Sequence, residues 1–263
     1  MRFIDTHCHL YDEAFDNDRN EALQHALDAG VDTLLLPDID SQSTAALDKL
    51  YSEFPQHFRR MTGLHPTSVK EDYEQELALV HARLFDSGIP FIAVGEIGLD
   101  FYWDRTFEEQ QLDALRRQLG WAAECNLPVA LHVRKAHNEL FNLLRDINRP
   151  TWRGVMHCFG GSLPEAYRAM ELGFHLGIGG VVTFKNATLA DIVREVPLER
   201  LLLETDAPYL APVPYRGKRN ESAYIPVIAQ KIADIKGISL EEVATVTTDS
   251  ATALFHLHQE ATQ

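Results

Sequence analysis

Two histidines stand two residues apart at positions 7 and 9, and on an extended strand such residues point to the same side, so His7 and His9 could reach one ion. Asp5 shares that side. A His-x-His pair carries little information alone, but further along the chain single polar residues close apolar runs in the same manner. Glu96 follows Phe91-Ile92-Ala93-Val94-Gly95, His132 closes Leu127-Pro128-Val129-Ala130-Leu131, His157 closes Gly154-Val155-Met156, and Asp206 lies just past Leu201-Leu202-Leu203. Four imidazoles and two carboxylates suffice for two divalent ions with one carboxylate bridging. Such a pair, about 3.5 to 4 Å apart, activates a water and stabilises the oxygens of a displacement. Imidazole suits zinc, iron, nickel and copper, and carboxylate admits magnesium or manganese, so donor type alone leaves the metal open. Two ions drawn from zinc, magnesium or manganese are the expected cofactors.

Residues this far apart in sequence meet only if the fold gathers the ends of the runs that carry them. Strands are expected at Phe3 to Asp5, Val31 to Leu36, Phe58 to Thr62, Phe91 to Val94, Val129 to Leu131, Gly154 to Met156, Phe174 to Ile178 and Leu201 to Leu203. Between them, Asp18 to Ala29, Thr44 to Phe54, Tyr73 to Phe85, Phe107 to Cys125 and Leu163 to Leu172 carry apolar residues at helical spacing. Gly30 and Gly173 stand where helix C-caps belong, and Ser162 precedes Pro164 as an N-cap would. Parallel neighbours require helical crossovers, so eight alternations predict an α/β fold of the (β/α)8 TIM-barrel type, with a doubly wound open sheet as the alternative. A barrel brings every C-terminal strand end to one rim, where the six candidate ligands would converge.

At 263 residues, with no linker, low-complexity tract or long charge block, the expectation is one domain over residues 1–263. The irregular stretch from Ala207 to Ser222 holds three prolines and Arg216-Gly217-Lys218-Arg219, and such a loop after a late barrel strand is expected over the active face. A hydrophobic content of 45% is ordinary for a globular chain, and no run nears the roughly eighteen apolar residues of a membrane span. No membrane association and no obligate protein partner are expected. Asp5 and His7 follow Met1 too closely for a signal peptide, which predicts a cytoplasmic location. Cys8, Cys125 and Cys158 form an odd set without close spacing, so they are expected as thiols, with Cys8 and Cys158 buried behind the site. A net charge of −15 argues against a basic nucleic-acid groove, although bound cations would invert the local sign and admit a phosphodiester.

Three further residues are placed on the rim as substrate contacts. His65, in Gly63-Leu64-His65-Pro66, reads either as a substrate contact or as a structural histidine. Arg134, with Lys135 beside it, and Lys185 are cations suited to phosphate, or else plain surface charges. The histidines at 25, 57, 81, 137, 175, 256 and 258 fall away from strand ends and are read as structural or solvated.

Taken together, the segments Ile4-Asp5-Thr6-His7-Cys8-His9-Leu10, Gly63-Leu64-His65-Pro66, Val94-Gly95-Glu96-Ile97-Gly98-Leu99-Asp100, Leu131-His132-Val133-Arg134, Met156-His157-Cys158-Phe159 and Leu203 to Leu210 resemble the TatD-type metal-dependent deoxyribonucleases, a branch of the amidohydrolase-like TIM barrels. The resemblance implies that His7 and His9 bind a first ion completed by Asp206, that His132 and His157 bind a second, and that Glu96 bridges. Asp206 and Glu96 would be catalytic, Asp206 orienting or deprotonating the attacking water. Lys135, where the family often has an acid, and Ser222, where it often has proline, depart from the pattern in loops expected to frame the pocket.

The function so implied is divalent-metal-dependent hydrolysis of phosphodiester bonds in DNA, with RNA as a further substrate, by a 3'-5' exonuclease route. Two other readings fit the same residues: hydrolysis of a small amide, lactone or phosphoester on the same scaffold, or a metal-stabilised binding protein without turnover.

Overall fold

A computed structural model describes residues 1–149, 151–185 and 187–257. Eight parallel strands run in sequence order, β1 (Phe3–Asp5), β2 (Val31–Leu36), β3 (Phe58–Thr62), β4 (Ala93–Asp100), β5 (Val129–Arg134), β6 (Gly154–Met156), β7 (Phe174–Ile178) and β8 (Leu201–Leu203), each hydrogen-bonded to the next. The ring closes where the Thr6 amide donates to the Leu203 carbonyl at 3.0 Å and Cys8 pairs with Ala207 in a parallel bridge. This is the expected (β/α)8 barrel rather than the open sheet.

Helices α1 (Arg19–Asp28), α2 (Ser41–Glu53), α3 (Tyr73–Phe85), α4 (Glu108–Glu124), α5 (His137–Ile147), α6 (Leu163–Glu171), α7 (Leu189–Glu195) and α8 (Ile225–Lys236) supply the crossovers and outer ring. Local chemistry sets their ends. Gly30 and Gly173 take positive φ just past α1 and α6, and Ser162 and Glu165 form a capping box that starts α6. Inside the barrel, Ile4, Leu35, Met61, Ala93, Ala130, Val155 and Leu202 form one apolar layer with Leu254 and Phe255 of α9 (Leu240–Phe255). Thr248 and Ser250 of α9 bond the carbonyls of Arg2 and Glu199, which precede β1 and β8. The N-terminal mouth is thereby plugged and the C-terminal rim left for chemistry.

Two strands outrun their sequence expectation. β4 was expected to end at Val94 but continues to Asp100, so Glu96 lies within the strand and not at its end. Val94 pairs with Val129 and Ile97 with Leu131, which puts Gly95 and Glu96 opposite a single residue in a bulge. Gly98, with φ 151°, makes the continuation possible, because a Cβ there would collide with the His132 carbonyl. β5 likewise runs past Leu131 and carries His132 and Arg134 inside it.

No helix among the described residues is long and apolar enough to cross a membrane. His258, read above as structural or solvated, lies outside the described residues.

Candidate metal centre

Glu96 is the hub of the rim. Its carboxylate is buried, and five imidazoles surround it in two sets. Oε2 lies 3.0 Å from His7 Nε2 and 3.8 Å from His9 Nε2. Oε1 lies 2.9 Å from His132 Nδ1, 3.3 Å from His65 Nε2 and 3.6 Å from His157 Nε2. Asp206 Oδ1 approaches three of the same rings, at 3.4 Å from His9, 3.7 Å from His157 and 4.0 Å from His7. His7 and His157 stack with centroids 3.4 Å apart. All six residues expected as ligands therefore meet at one point, and His65 joins them.

Several contacts aim these rings. The Tyr11 hydroxyl donates to the Pro37 carbonyl at 2.7 Å, so its oxygen accepts from His9 Nδ1 at 2.8 Å, which turns Nε2 toward Asp206. His132 bonds Asp100 through Nε2 at 2.9 Å. His157 Nδ1 sits 3.1 Å from Glu204 Oε1 as an ion-pair contact, without the alignment of a hydrogen bond. Glu204 Oε1 also accepts the Cys158 amide at 2.5 Å. Asp5 does not turn to the cluster: it accepts the amides of His7 and Thr205 and the Thr205 hydroxyl, tying β1 to the loop after β8. Burial pushes its carboxyl up to about 6 against those hydrogen bonds.

Helix α4 holds two of the site loops by buried amides. Gln118 accepts the Leu64 amide at 2.7 Å and donates to its carbonyl at 3.2 Å, beside His65. Gln111 does the same for Asp100, at 2.9 and 3.2 Å. Asn220 donates to the carbonyls of Thr205 and Tyr209 and fixes the loop after β8. Cys158 and Asp206 both hold left-handed backbone, with φ of 45° and 57°.

Charge in the cluster follows from crowding. Burial would raise the Glu96 carboxyl, but His65, His7, His157 and the His132 hydrogen bond together hold it well below the usual carboxylate range. Asp206 is likewise held low, chiefly by His157 against its own burial. Burial disfavours the charged form of His157 and His132. It is outweighed at His157 by Glu204, Glu96 and Asp206, which lift the ring to about 10, and at His132 by Asp100 and Glu96, which lift it to about 9. His7 and His65 are depressed, first by burial.

The donor set fits divalent ions. His7, His9 and Glu96 offer ligand atoms within 4.8 Å of one another, as do His65, Glu96 and His132, and His7, His157 and Asp206. Nδ1 of His7 is buried without a hydrogen-bond partner among the described residues. So much buried charge and nitrogen is costly unless something binds it.

Above the cluster opens a cavity of about 960 Å³ lined by His65 and Arg134, and by Tyr209 and Leu210 of the loop after β8, which does cover this face. Cys8 is buried as expected, but Cys158 borders the cavity because its left-handed backbone turns it off the strand's alternation. Lys185 is exposed and outside the lining. Ser222 is buried and absent from that lining too, while Lys135 borders a smaller adjoining cavity.

The family model for TatD-related DNases matches residues 4–256. The chain belongs to that family. Among TatD-family relatives, the uncharacterized metal-dependent hydrolase YabD of Bacillus subtilis is 35% identical, covering 97% of this chain and 99% of its own. The 3'-5' ssDNA/RNA exonuclease TatD of Erwinia tasmaniensis is 33% identical over 97% of this chain and its own full length. The crystal structure of the TatD homologue YjjV from Escherichia coli superposes with a TM-score of 0.91 at 32% identity, covering 98% of this chain and 99% of that one. This TatD-family chain is thus a metal-dependent hydrolase by kinship.

Asp100, Glu204, Tyr11, Gln111 and Gln118 escaped the sequence reading as site residues. For Glu204 a signal existed: it stands two before Asp206, the spacing that singled out His7 and His9.

Proposed function

We propose that this protein removes nucleotides from the 3' end of single-stranded DNA, and of RNA, by phosphodiester hydrolysis dependent on two divalent ions. The observation that carries the reading is the split of Glu96, with Oε2 facing His7 and His9 and Oε1 facing His65, His132 and His157. A carboxylate with a nitrogen set at each oxygen is suited to bridge. His7, His9 and Asp206 would hold one ion, His132 and His157 the other. Such ions supply Lewis-acid polarisation of a phosphoryl oxygen and hydroxide at neutral pH.

The chain's own groups do the rest. The Asp206 side chain is 16% exposed against 3% for Glu96, so it is the carboxylate that meets cavity water. Held low in pKa, it stays charged at neutral pH and can orient water and receive its proton. His65 and Arg134 line the space where a phosphate would lie and would hold its oxygens. The printed activity of the Erwinia relative supports the substrate class and the direction.

The test is a metal-reconstituted assay on 5'-labelled and 3'-labelled oligonucleotides, with elemental analysis of the same preparation and bis(p-nitrophenyl) phosphate, amides and lactones alongside. Expected are mononucleotides released from the 3' end, lost on chelation and in Asp206→Ala and Glu96→Ala. Turnover of small substrates with intact oligonucleotides would overturn the nuclease reading, and so would full cleavage by both variants.

A further inference from the structure

Eight large hydrophobic residues are strongly exposed among the described residues, and three of them, Trp103, Tyr209 and Leu210, line the larger cavity above the metal centre. Trp103 is 74% exposed and Tyr209 54%. Exposed aromatic faces cost free energy in water, so their gathering at one mouth points to a ligand with apolar faces. Trp103 follows β4 and Tyr209 follows β8, and these strands stand opposite each other in the ring of eight. Trp103 is braced: Tyr102 meets its ring edge-on at 4.9 Å, and the Arg134 guanidinium lies 3.6 Å above the Tyr102 centroid and 5.6 Å from that of Trp103. Tyr209 stands edge-on to His9 at 6.3 Å.

The electrostatics point the same way. Among the described residues Arg134 is the one lysine or arginine in the lining of this cavity, which also holds Asp12, Glu13 and Asp40. The whole chain carries −15. A polyanion held mainly through phosphates needs many cations, and beyond the two ions proposed for the scissile phosphate this lining supplies Arg134, with Lys135 in the adjoining cavity. Base stacking, which every base can provide, is a source of affinity that so few protein cations leave room for.

We propose that Trp103 and Tyr209 are two stacking platforms on opposite sides of the cavity mouth that hold unpaired bases next to the scissile phosphodiester. This rests on the nuclease reading and adds how the strand is held. Bases paired within a duplex cannot offer their faces, so the platforms select single strands.

The test is a cycle on the metal-reconstituted enzyme: Trp103→Ala, Trp103→Phe and Tyr209→Ala, each on an oligothymidylate and on the same oligomer with abasic residues at its two 3'-terminal positions. Loss of a stacked base should raise KM roughly 10-fold with a smaller effect on kcat, and phenylalanine at 103 should restore most of it. Abasic residues should raise KM for the unsubstituted enzyme by the worth of both stacks but, in Trp103→Ala or Tyr209→Ala, only by the worth of the one stack that remains, a coupling that a merely structural role would not produce. The logarithm of 1/KM should fall with log salt at a slope of about −0.7, one phosphate contact's worth. Oligonucleotide cleavage with full additivity in both alanine variants would overturn the platforms and leave the nuclease reading standing. No cleavage of any oligonucleotide by the unsubstituted enzyme would overturn both.

Discussion

Asp100 Oδ2 lies 2.9 Å from Nε2 of His132, across the ring from the Nδ1 that faces Glu96 at 2.9 Å. A carboxylate behind an imidazole fixes its tautomer and orientation and raises its basicity toward a metal. Asp100→Asn should therefore lower metal retention and activity roughly 10- to 100-fold. Elemental analysis after dialysis, together with rates across a metal titration, checks this; unchanged retention would remove Asp100 from the positioning of His132.

Metal affinity should rise steeply with pH. Without metal, Glu204, Glu96 and Asp206 lift His157 to about 10, and Asp100 and Glu96 lift His132 to about 9, against burial in both cases. Both rings then hold protons at pH 7, and an ion must displace them. Calorimetry in buffers of different ionisation enthalpy should detect more than one proton released near neutrality. For stability the sign is fixed by pKa values raised above the unfolded value near 6.5. The contribution is fully present below pH 6.5 and lost as pH rises through about 9 to 10. The metal-free protein should accordingly melt at lower temperature at pH 10 than at pH 7, and loading with metal should flatten that slope.

How much of this was visible in the residues alone differs between the ligands and their supports. His7 and His9 were legible from their two-residue spacing, and His132, His157 and Asp206 because each closes or just follows an apolar run, since a barrel has one rim on which such runs can end. Glu96 was found with the wrong boundary, since Gly95 and Gly98 look like breakers in sequence but serve a bulge and a close approach in space. Asp100, Gln111 and Gln118 act across elements through side chains, and no local period announces such a contact. Lys185 reads in sequence as a rim cation after the apolar Val181-Val182-Thr183-Phe184, yet that stretch folds as a 3-10 turn over Gly180–Thr183, and a loop's direction is set by its own turns.

Helix α4 grips the His65 loop through one side chain. Gln118 is buried and satisfies both the amide and the carbonyl of Leu64. Leucine has about the right volume but would leave two buried backbone groups without partners, at about 1–3 kcal/mol each. Gln118→Leu should lower unfolding free energy by about 2–4 kcal/mol in urea and should also cut activity, because His65 follows Leu64 directly. Glutamate at 118 keeps one acceptor and should recover part of the stability; a leucine variant as stable as the parent would contradict this account.

Gly177 is the last support, and its role can be separated from backbone effects. A Cβ at this position would collide with the Glu204 carboxylate, whose Oε1 lies 3.1 Å from His157 Nδ1 and accepts the Cys158 amide. Gly177→Ala thus forces Glu204 away from the ring it positions, and overpacking of this kind costs about 1–3 kcal/mol. Metal retention should fall together with stability. In a Glu204→Ala background the obstacle is gone, so adding Gly177→Ala should then cost little more. Residues in direct contact are expected to be non-additive in this way, and the coupling in a double-mutant cycle by urea unfolding should be about 1 kcal/mol or more. Strict additivity would mean that the glycine is required by the backbone of β7 rather than by the carboxylate that presses against it.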